Sequence, residues 1–319
     1  MEFTGVSVAR ICGITALLFG FLLATAIPRA AFAQSSGASG ATGTQVVILG
    51  TGTPQADPDA SGPAVAIVAG GTAYLVDCGP GVVRRAVAAQ RKGIAALGPR
   101  NIHVVFITHL HSDHTLGYPD LIFTPWVLGR TDPLEVYGPR GLQGMTNSIE
   151  QAWAKDIDVR TNGLEKANRT GYKVHVHEIA PGIVYKDQNV TVRAFLVAHG
   201  SWDQAFGYRF ETADRTIVLS GDTAPTDAVV KACNGCDVLL HEVYSVAGFH
   251  QKSLEGQDYY LKFHTSSVEL AKEATAAKPG LLILYHQLYD GDVTDQQLLG
   301  EVARRYAGKV VSARDLDVY

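Results

Sequence analysis

The stretch Val104-Val105-Phe106-Ile107-Thr108-His109-Leu110-His111-Ser112-Asp113-His114 decides how this chain is read. Its first half is an apolar, β-branched run, the pattern of a buried strand. Its second half places four metal-type donors, His109, His111, Asp113 and His114, just past that strand. Strand ends are where sites form on α/β sheets. Imidazole is a borderline ligand that suits zinc, and a carboxylate adds a harder oxygen donor. Four donors this close on a turn can point into one pocket without forming a helix face. The bland alternative is a polar loop that happens to be rich in histidine.

A cluster of four cannot close a two-metal site, so further donors must come from elsewhere. Working outward, three later apolar runs each end in a single donor. His199 follows Phe195-Leu196-Val197-Ala198, Asp222 follows Val218-Leu219-Ser220-Gly221, and His286 follows Leu282-Ile283-Leu284-Tyr285. Any one of them could be a cap or turn residue. The same pattern repeated three times points to one shared site.

Strands are predicted at 45–49, 64–68, 73–76, 102–108, 173–179, 190–198, 205–211, 216–220, 238–241 and 281–285, bounded by Gly and Pro. Helical patterns fall at 81–92, 116–128, 141–154, 225–232, 266–277 and 294–306. Two successive β-rich sets, each with helices, imply an α/β chain with two packed sheets covered by helices in one domain. No repeat of 20–50 residues is visible.

With the four-donor motif and the later donors in hand, the sequence resembles the metallo-β-lactamase fold superfamily of hydrolases. The motif His-x-His-x-Asp-His stands as His109, His111, Asp113 and His114, and the later motifs as His199, Asp222 and His286. The resemblance runs from about Gln45 to Tyr319. Its early landmarks are Leu49-Gly50-Thr51-Gly52-Thr53-Pro54 and Val76-Asp77-Cys78-Gly79-Pro80-Gly81. It implies an αβ/βα four-layer sandwich with two zinc ions between the sheet edges, Mn2+ or Fe being other candidates. One ion would take His109, His111 and His199, the other Asp113, His114 and His286, with Asp222 bridging. Asp222 and the lack of a cysteine ligand look unlike the antibiotic-cleaving lactamases. His241-Glu242-Val243-Tyr244 and His264-Thr265-Ser266 look like the tRNase Z branch, which also holds arylsulfatases and phosphodiesterases. In that branch Glu242 would orient His264, which would stabilise or protonate the leaving oxygen. Asp113 would both bind metal and orient the metal-bridging hydroxide that attacks the substrate. The bland reading makes Glu242 a strand-end cap and His264 a neighbour of a helix cap.

The resemblance has one departure. The tRNA-processing members carry a long arm, in bacterial forms between the motifs of His199 and Asp222. Here 22 residues separate those positions. A hairpin over 205–211 and 215–219, turning at Thr212-Ala213-Asp214, fills them.

Charge and leader complete the expectation. The chain has 319 residues with Lys+Arg 27 and Asp+Glu 31, a formal net −4, and 46 % hydrophobic residues. That is globular and not disordered, and it disfavours a strongly basic nucleic-acid binder. Arg10, the uncharged run Ile11–Ile27 and Ala31-Phe32-Ala33 describe a signal peptide over residues 1–33. Its removal leaves 25 basic and 30 acidic residues, net −5. Residues 34–44, small and polar, read as a flexible linker, and 45–319 as the hydrolase domain. Cys233-Asn-Gly-Cys236 could pair in an oxidising compartment or be two buried small residues.

The expectation is an exported, periplasmic or secreted, dinuclear zinc hydrolase. Its substrate would be a small anionic ester, either a phosphodiester or a sulfate ester. Nucleic acid is held unlikely as a partner, no stable anchor remains once the signal is cleaved, and a homodimer is compatible with the sequence. The alternatives are a lactone or amide hydrolase of the same fold, or a non-catalytic metal binder.

Three smaller features have plain readings. Gly50-x-Gly52 lacks a following helix and reads as a tight turn near the site. His175-Val176-His177 reads as a solvated strand face. Trp202, Phe206 and Tyr285 belong either to the pocket rim or to the core, and Asp77 is a candidate to fix the tautomer of a ligand histidine.

Overall fold

The computed structural model describes residues 43–319. The expected signal peptide and residues 34–42 of the expected linker lie outside them. Among the described residues thirteen strands form two sheets. The first contains, in spatial order, β1 (Gln45–Gly50), β2 (Ala64–Ala69), β3 (Thr72–Val76), β4 (Ile102–Phe106), β5 (Leu134–Gly138) and β6 (Val174–Glu178). The second contains β7 (Gly182–Lys186), β8 (Thr191–Leu196), β9 (Phe206–Glu211), β10 (Thr216–Leu219), β11 (Val238–Tyr244), β12 (Leu281–Leu288) and β13 (Val310–Ser312), each beside the next. Each sheet starts antiparallel and becomes parallel, from β3 in the first and from β10 in the second.

Period-two alternation explains the layering, because successive side chains of a strand point to opposite faces. Along β1, Val46 and Ile48 enter the core between the sheets, while Val47 and Leu49 turn outward under helices. In β12, Ile283 and Tyr285 face inward and Leu282 and Leu284 outward. Phe106, Phe206, Tyr208 and Phe210 fill the middle of the inter-sheet core. Helices Val82–Arg91 and Tyr118–Val127 cover the outer face of the first sheet. Helices Asp227–Cys233, Ser267–Ala277 and Asp295–Ala303 cover the second. The result is the expected four-layer αβ/βα sandwich.

Several differences from the sequence expectation have physical causes. β5, β7 and β13 were not expected. β7 is an edge strand with exposed and half-buried residues, and β13 has three residues, so neither shows an apolar run. β11 and β12 run past His241 and Tyr285, where polar residues suggested an end. Helix Leu254–Phe263 is also new; Leu254 and Leu261 are exposed and blur its periodicity. The hairpin between His199 and Asp222 forms as β9 and β10. Cys233 and Cys236 are joined as a disulfide, and Cys78 is a buried free thiol. Thr44 is buried, with its amide and hydroxyl bonded to Asp214. No helix among the described residues is long and apolar enough to cross a membrane.

Candidate metal centre

All seven expected donors meet where loops of the two sheets converge. They form two groups, His109 with His111, His199 and Asp222, and Asp113 with His114 and His286. Within each group one donor atom per residue lies within 4.8 Å of the others. This is the partition the sequence implied, except that Asp222 sits in the first group. It still reaches the second group, with its carboxylate 3.4 Å from His114 Nε2 and 3.7 Å from His286 Nε2.

The backbone aims these side chains by unusual means. Asp77 at the end of β3 has φ +60° and accepts hydrogen bonds from the Thr108 amide and hydroxyl. It also lies 2.8 Å from His114 Nδ1, which leaves Nε2 facing the cluster. That is the tautomer-fixing role expected for it. His286 is the extra residue of a β-bulge. The register of β12 against β11 jumps from Tyr285 to Gln287, and His286 takes φ +47°. A bulge re-aims one side chain without ending the strand. Gly221, with φ +62°, lets Asp222 approach β9, because a Cβ there would stand 2.6 Å from the Phe206 carbonyl oxygen.

The first group is held from outside. Thr108 Oγ1 is 3.0 Å from His109 Nδ1, and the Phe263 carbonyl is 2.8 Å from His199 Nδ1. Trp202 donates its indole N–H to His111 Nε2 at 2.9 Å, so His111 presents Nδ1 inward. There it is 2.9 Å from His109 Nε2 and 3.1 Å from His199 Nε2. Of the three aromatics left open between rim and core, Trp202 belongs to the site, and Phe206 and Tyr285 to the inter-sheet core.

Electrostatics divides the cluster. Burial pushes His109 well below the usual imidazole value, helped by His114, and lowers His199 to about 4. Burial acts the same way on His114, but Asp222 and Asp77 overcome it and hold that ring well above. Asp222 is fully buried, which alone would raise its pKa. The imidazoles of His286 and His114 keep it well below the usual carboxylate range. A buried carboxylate is stable only when paired or metal-bound.

Whether a metal fits is answered by atoms left over. His114 Nε2 and Asp222 Oδ1 are buried without a hydrogen-bond partner, and both face the cluster. Buried polar atoms are rarely orphaned unless a water or ion completes them. Imidazole nitrogens and carboxylate oxygens in two adjoining groups suit two divalent ions.

Glu242 and His264 lie beside the cluster. Glu242 Oε1 accepts from the amides of Thr265 and Thr223 at 2.8 and 3.3 Å. Its other oxygen is 3.5 Å from His264 Nδ1. Burial and the charge of Asp222 drive the Glu242 carboxyl well above its usual value, and burial lowers His264 to about 4. His241 turns the other way, 3.3 Å from Glu273 under helix Ser267–Ala277.

The cluster opens on a cleft of about 140 Å³. Thr53, Pro54 and Gln55 form one wall, so the Gly50–Gly52 turn does lie at the site. That loop is tied to the far end of the chain, because Asp315 accepts from the amides of Thr51 and Ser61. Lys252, Tyr259, Tyr260 and Asp290 form another wall. Sequence reasoning missed them, since none sits at a strand end or in a spaced motif. His175 and His177 stay on the surface of β6, each 2.7 Å from one oxygen of Glu135.

Fold and donor set together define a metal-dependent hydrolase of the metallo-β-lactamase fold. Residues 72–287 match the family described as beta-lactamase superfamily domain, and the chain belongs to that family. It is 32 % identical over 276 residues to a "Ribonuclease Z" of Mycobacterium bovis (strain BCG / Pasteur 1173P2), covering 85 % of this chain and 96 % of the relative. A "Ribonuclease Z" of Mycobacterium sp. (strain KMS) is 35 % identical over 246 residues, covering 76 % of this chain and 84 % of that one. The fold is similar to the crystal structure of human tRNase Z, short form, with a TM-score of 0.63 at 24 % identity, over 86 % of this chain and 98 % of that one.

These relatives correct one expectation. Nucleic acid does not stand as an unlikely partner when the relatives matched over most of their length bear the name of a ribonuclease. The physical error was one of scale. A net charge of −4 averages the whole surface, whereas binding depends on the local field at the cleft. The short 199–222 segment carries no more weight, because 96 % of the first relative is matched regardless.

Proposed function

We propose that the protein is a two-zinc phosphodiester hydrolase whose substrates include RNA. The observation that carries this reading is the complete donor set in two adjoining groups with the Glu242–His264 pair beside it. The ribonuclease names of its relatives support the choice of phosphodiester over sulfate ester. A non-catalytic binder would have no need of Glu242 and His264 beside a full set of ligands.

When bound, paired divalent ions lower the pKa of water toward about 7 and neutralise developing charge. His109, His111 and His199 would hold one ion, Asp113, His114 and His286 the other, and Asp222 would touch both. Asp113, in the cleft wall, accepts hydrogen from the attacking water and orients it. The Glu242 carboxyl, whose pKa is pushed up by burial and by Asp222, lies 3.5 Å from His264 Nδ1 and orients that ring, with Nε2 turned to the cleft. With its pKa lowered to about 4, His264 stabilises the leaving oxygen by a hydrogen bond instead of carrying a full proton at neutral pH.

The test is turnover by the zinc-loaded protein of an RNA with a 3′ extension, bis(p-nitrophenyl) phosphate, an aryl sulfate, a lactone and a β-lactam. Phosphodiester cleavage is expected, and turnover of the sulfate or lactone alone would overturn the reading. Metal analysis of the protein as purified separates zinc from Mn2+ and Fe. Export is proposed from residues 1–33 and is supported by the Cys233–Cys236 disulfide. N-terminal sequencing of protein from the periplasm or medium should begin near Gln34.

A further inference from the structure

Among the described residues one Lys or Arg lines the cleft, and the chemistry proposed above does not use it. Lys252 lies in the turn before helix Leu254–Phe263 and shares the cleft with Asp113, Asp222 and His264. Its ammonium is 2.7 Å from Asp290 Oδ1 and 4.1 Å from the centre of the Tyr260 ring. The side chain is only 21 % exposed. Lysines ordinarily keep the ammonium in bulk water. This one is drawn out of it, and a carboxylate and an aromatic face offset the loss. An ammonium has three donors. Asp290 accepts one, and the others are left for a group in the cleft.

Its placement says which group. The Tyr260 ring contacts both Lys252 and His264, its centre 4.1 Å from the ammonium and 5.4 Å from the centre of the His264 ring. Asp290, which holds the ammonium, lies two residues past the end of β12, the strand that carries His286. The cation therefore shares an aromatic neighbour with His264, on the leaving-group side of the cleft. A phosphate held among the metal ligands would have its neighbour along a substrate chain there.

We propose that Lys252 binds a second phosphate of the substrate, the one next along the chain from the phosphodiester being cut. This rests on the phosphodiesterase reading and narrows it to substrates with a flanking phosphate, such as a nucleic-acid strand. A compact point charge suits that role, as lysine is a common phosphate binder.

The test uses two non-cleavable probes on the zinc-loaded protein, uridine 3′-monophosphate and uridine 3′,5′-bisphosphate, with binding measured by calorimetry. The native protein should bind the bisphosphate about tenfold more tightly. Lys252→Met should abolish that gap, and Lys252→Arg, which keeps the charge, should retain most of it. No gap in the native protein, or a gap that survives in Lys252→Met, overturns the assignment. Equal weakening of both probes in Lys252→Met also overturns it, because that marks a structural role. If the gap behaves as expected while no phosphodiester is cut, Lys252 stands as a phosphate anchor and the hydrolase reading falls.

Discussion

Two clusters among the described residues, the surface trio on β6 and the sheet-junction site, each bring histidines and carboxylate together, and they differ in burial, charge and satisfaction. On the surface of β6, Glu135 lies between His175 and His177 and satisfies each with one oxygen. Those imidazoles are 58 % and 43 % exposed, and no polar atom of the trio is orphaned. At the sheet junction every ring but the half-buried His111 is buried, the pKa values are driven in both directions, and His114 Nε2 and Asp222 Oδ1 lack partners. Composition alone would treat the two alike. What separates a site from a surface ion pair is desolvation left uncompensated by the protein's own groups.

Substitutions can break this contrast, most strongly at its centre. Asp222→Ala should remove bound metal and turnover together, by more than the ~100-fold that loss of a supporting residue brings. Metal analysis and a phosphodiesterase assay read it, and full zinc with full turnover would contradict the assignment. Asp77→Ala should come next. Without its acceptor, His114 can adopt the wrong tautomer, and metal affinity should fall about 10–100-fold, as chelator competition would show. His264→Ala should leave metal content intact and lower kcat by about a hundredfold. The loss should be larger on esters with poor leaving groups; an equal loss on good and poor ones would place His264 elsewhere.

The smallest effect is expected at the surface trio. Burial alone would raise the pKa of Glu135, but hydrogen bonds from His177 and His175 hold it below its ordinary 4.5. A depressed folded-state value means stability fully present above about 4.5 and lost as pH falls through the lowered value. Glu135→Gln should therefore flatten the decline of Tm below that pH and leave turnover unchanged. Because the trio is well exposed, the shift in Tm should be slight. A clear loss of turnover would join the trio to the site and erase the contrast.

Legibility in the sequence followed chain proximity. His109, His111, Asp113 and His114 lie on one turn, so their shared purpose shows at once. His199, Asp222 and His286 show only as a repeated strand-end pattern. Their convergence depends on two sheets meeting, which no local window reports. Trp202 showed only as a residue of either rim or core, and Lys252 and Asp290 left no signal, because each acts through a neighbour distant in sequence. Strand ends were misplaced for a related reason. In β11 and β12, functional polar residues sit inside buried strands, where a polarity rule expects loop. Glu242 keeps its place there because two backbone amides satisfy one of its oxygens and the other faces His264.

The bulge at His286 has a consequence for tolerance to small deletions. The strand on either side of it is in phase with β11 only because one residue is set aside. Removing Gln287 would let the two strands zip without interruption while keeping the alternation of Leu281–Tyr285 in place. The ladder would gain regularity, yet His286 would be drawn into it and turned away from the cleft. Such a deletion variant is expected to remain folded and soluble while losing one metal. β12 is thus a place where the protein can become better ordered and catalytically empty in the same step.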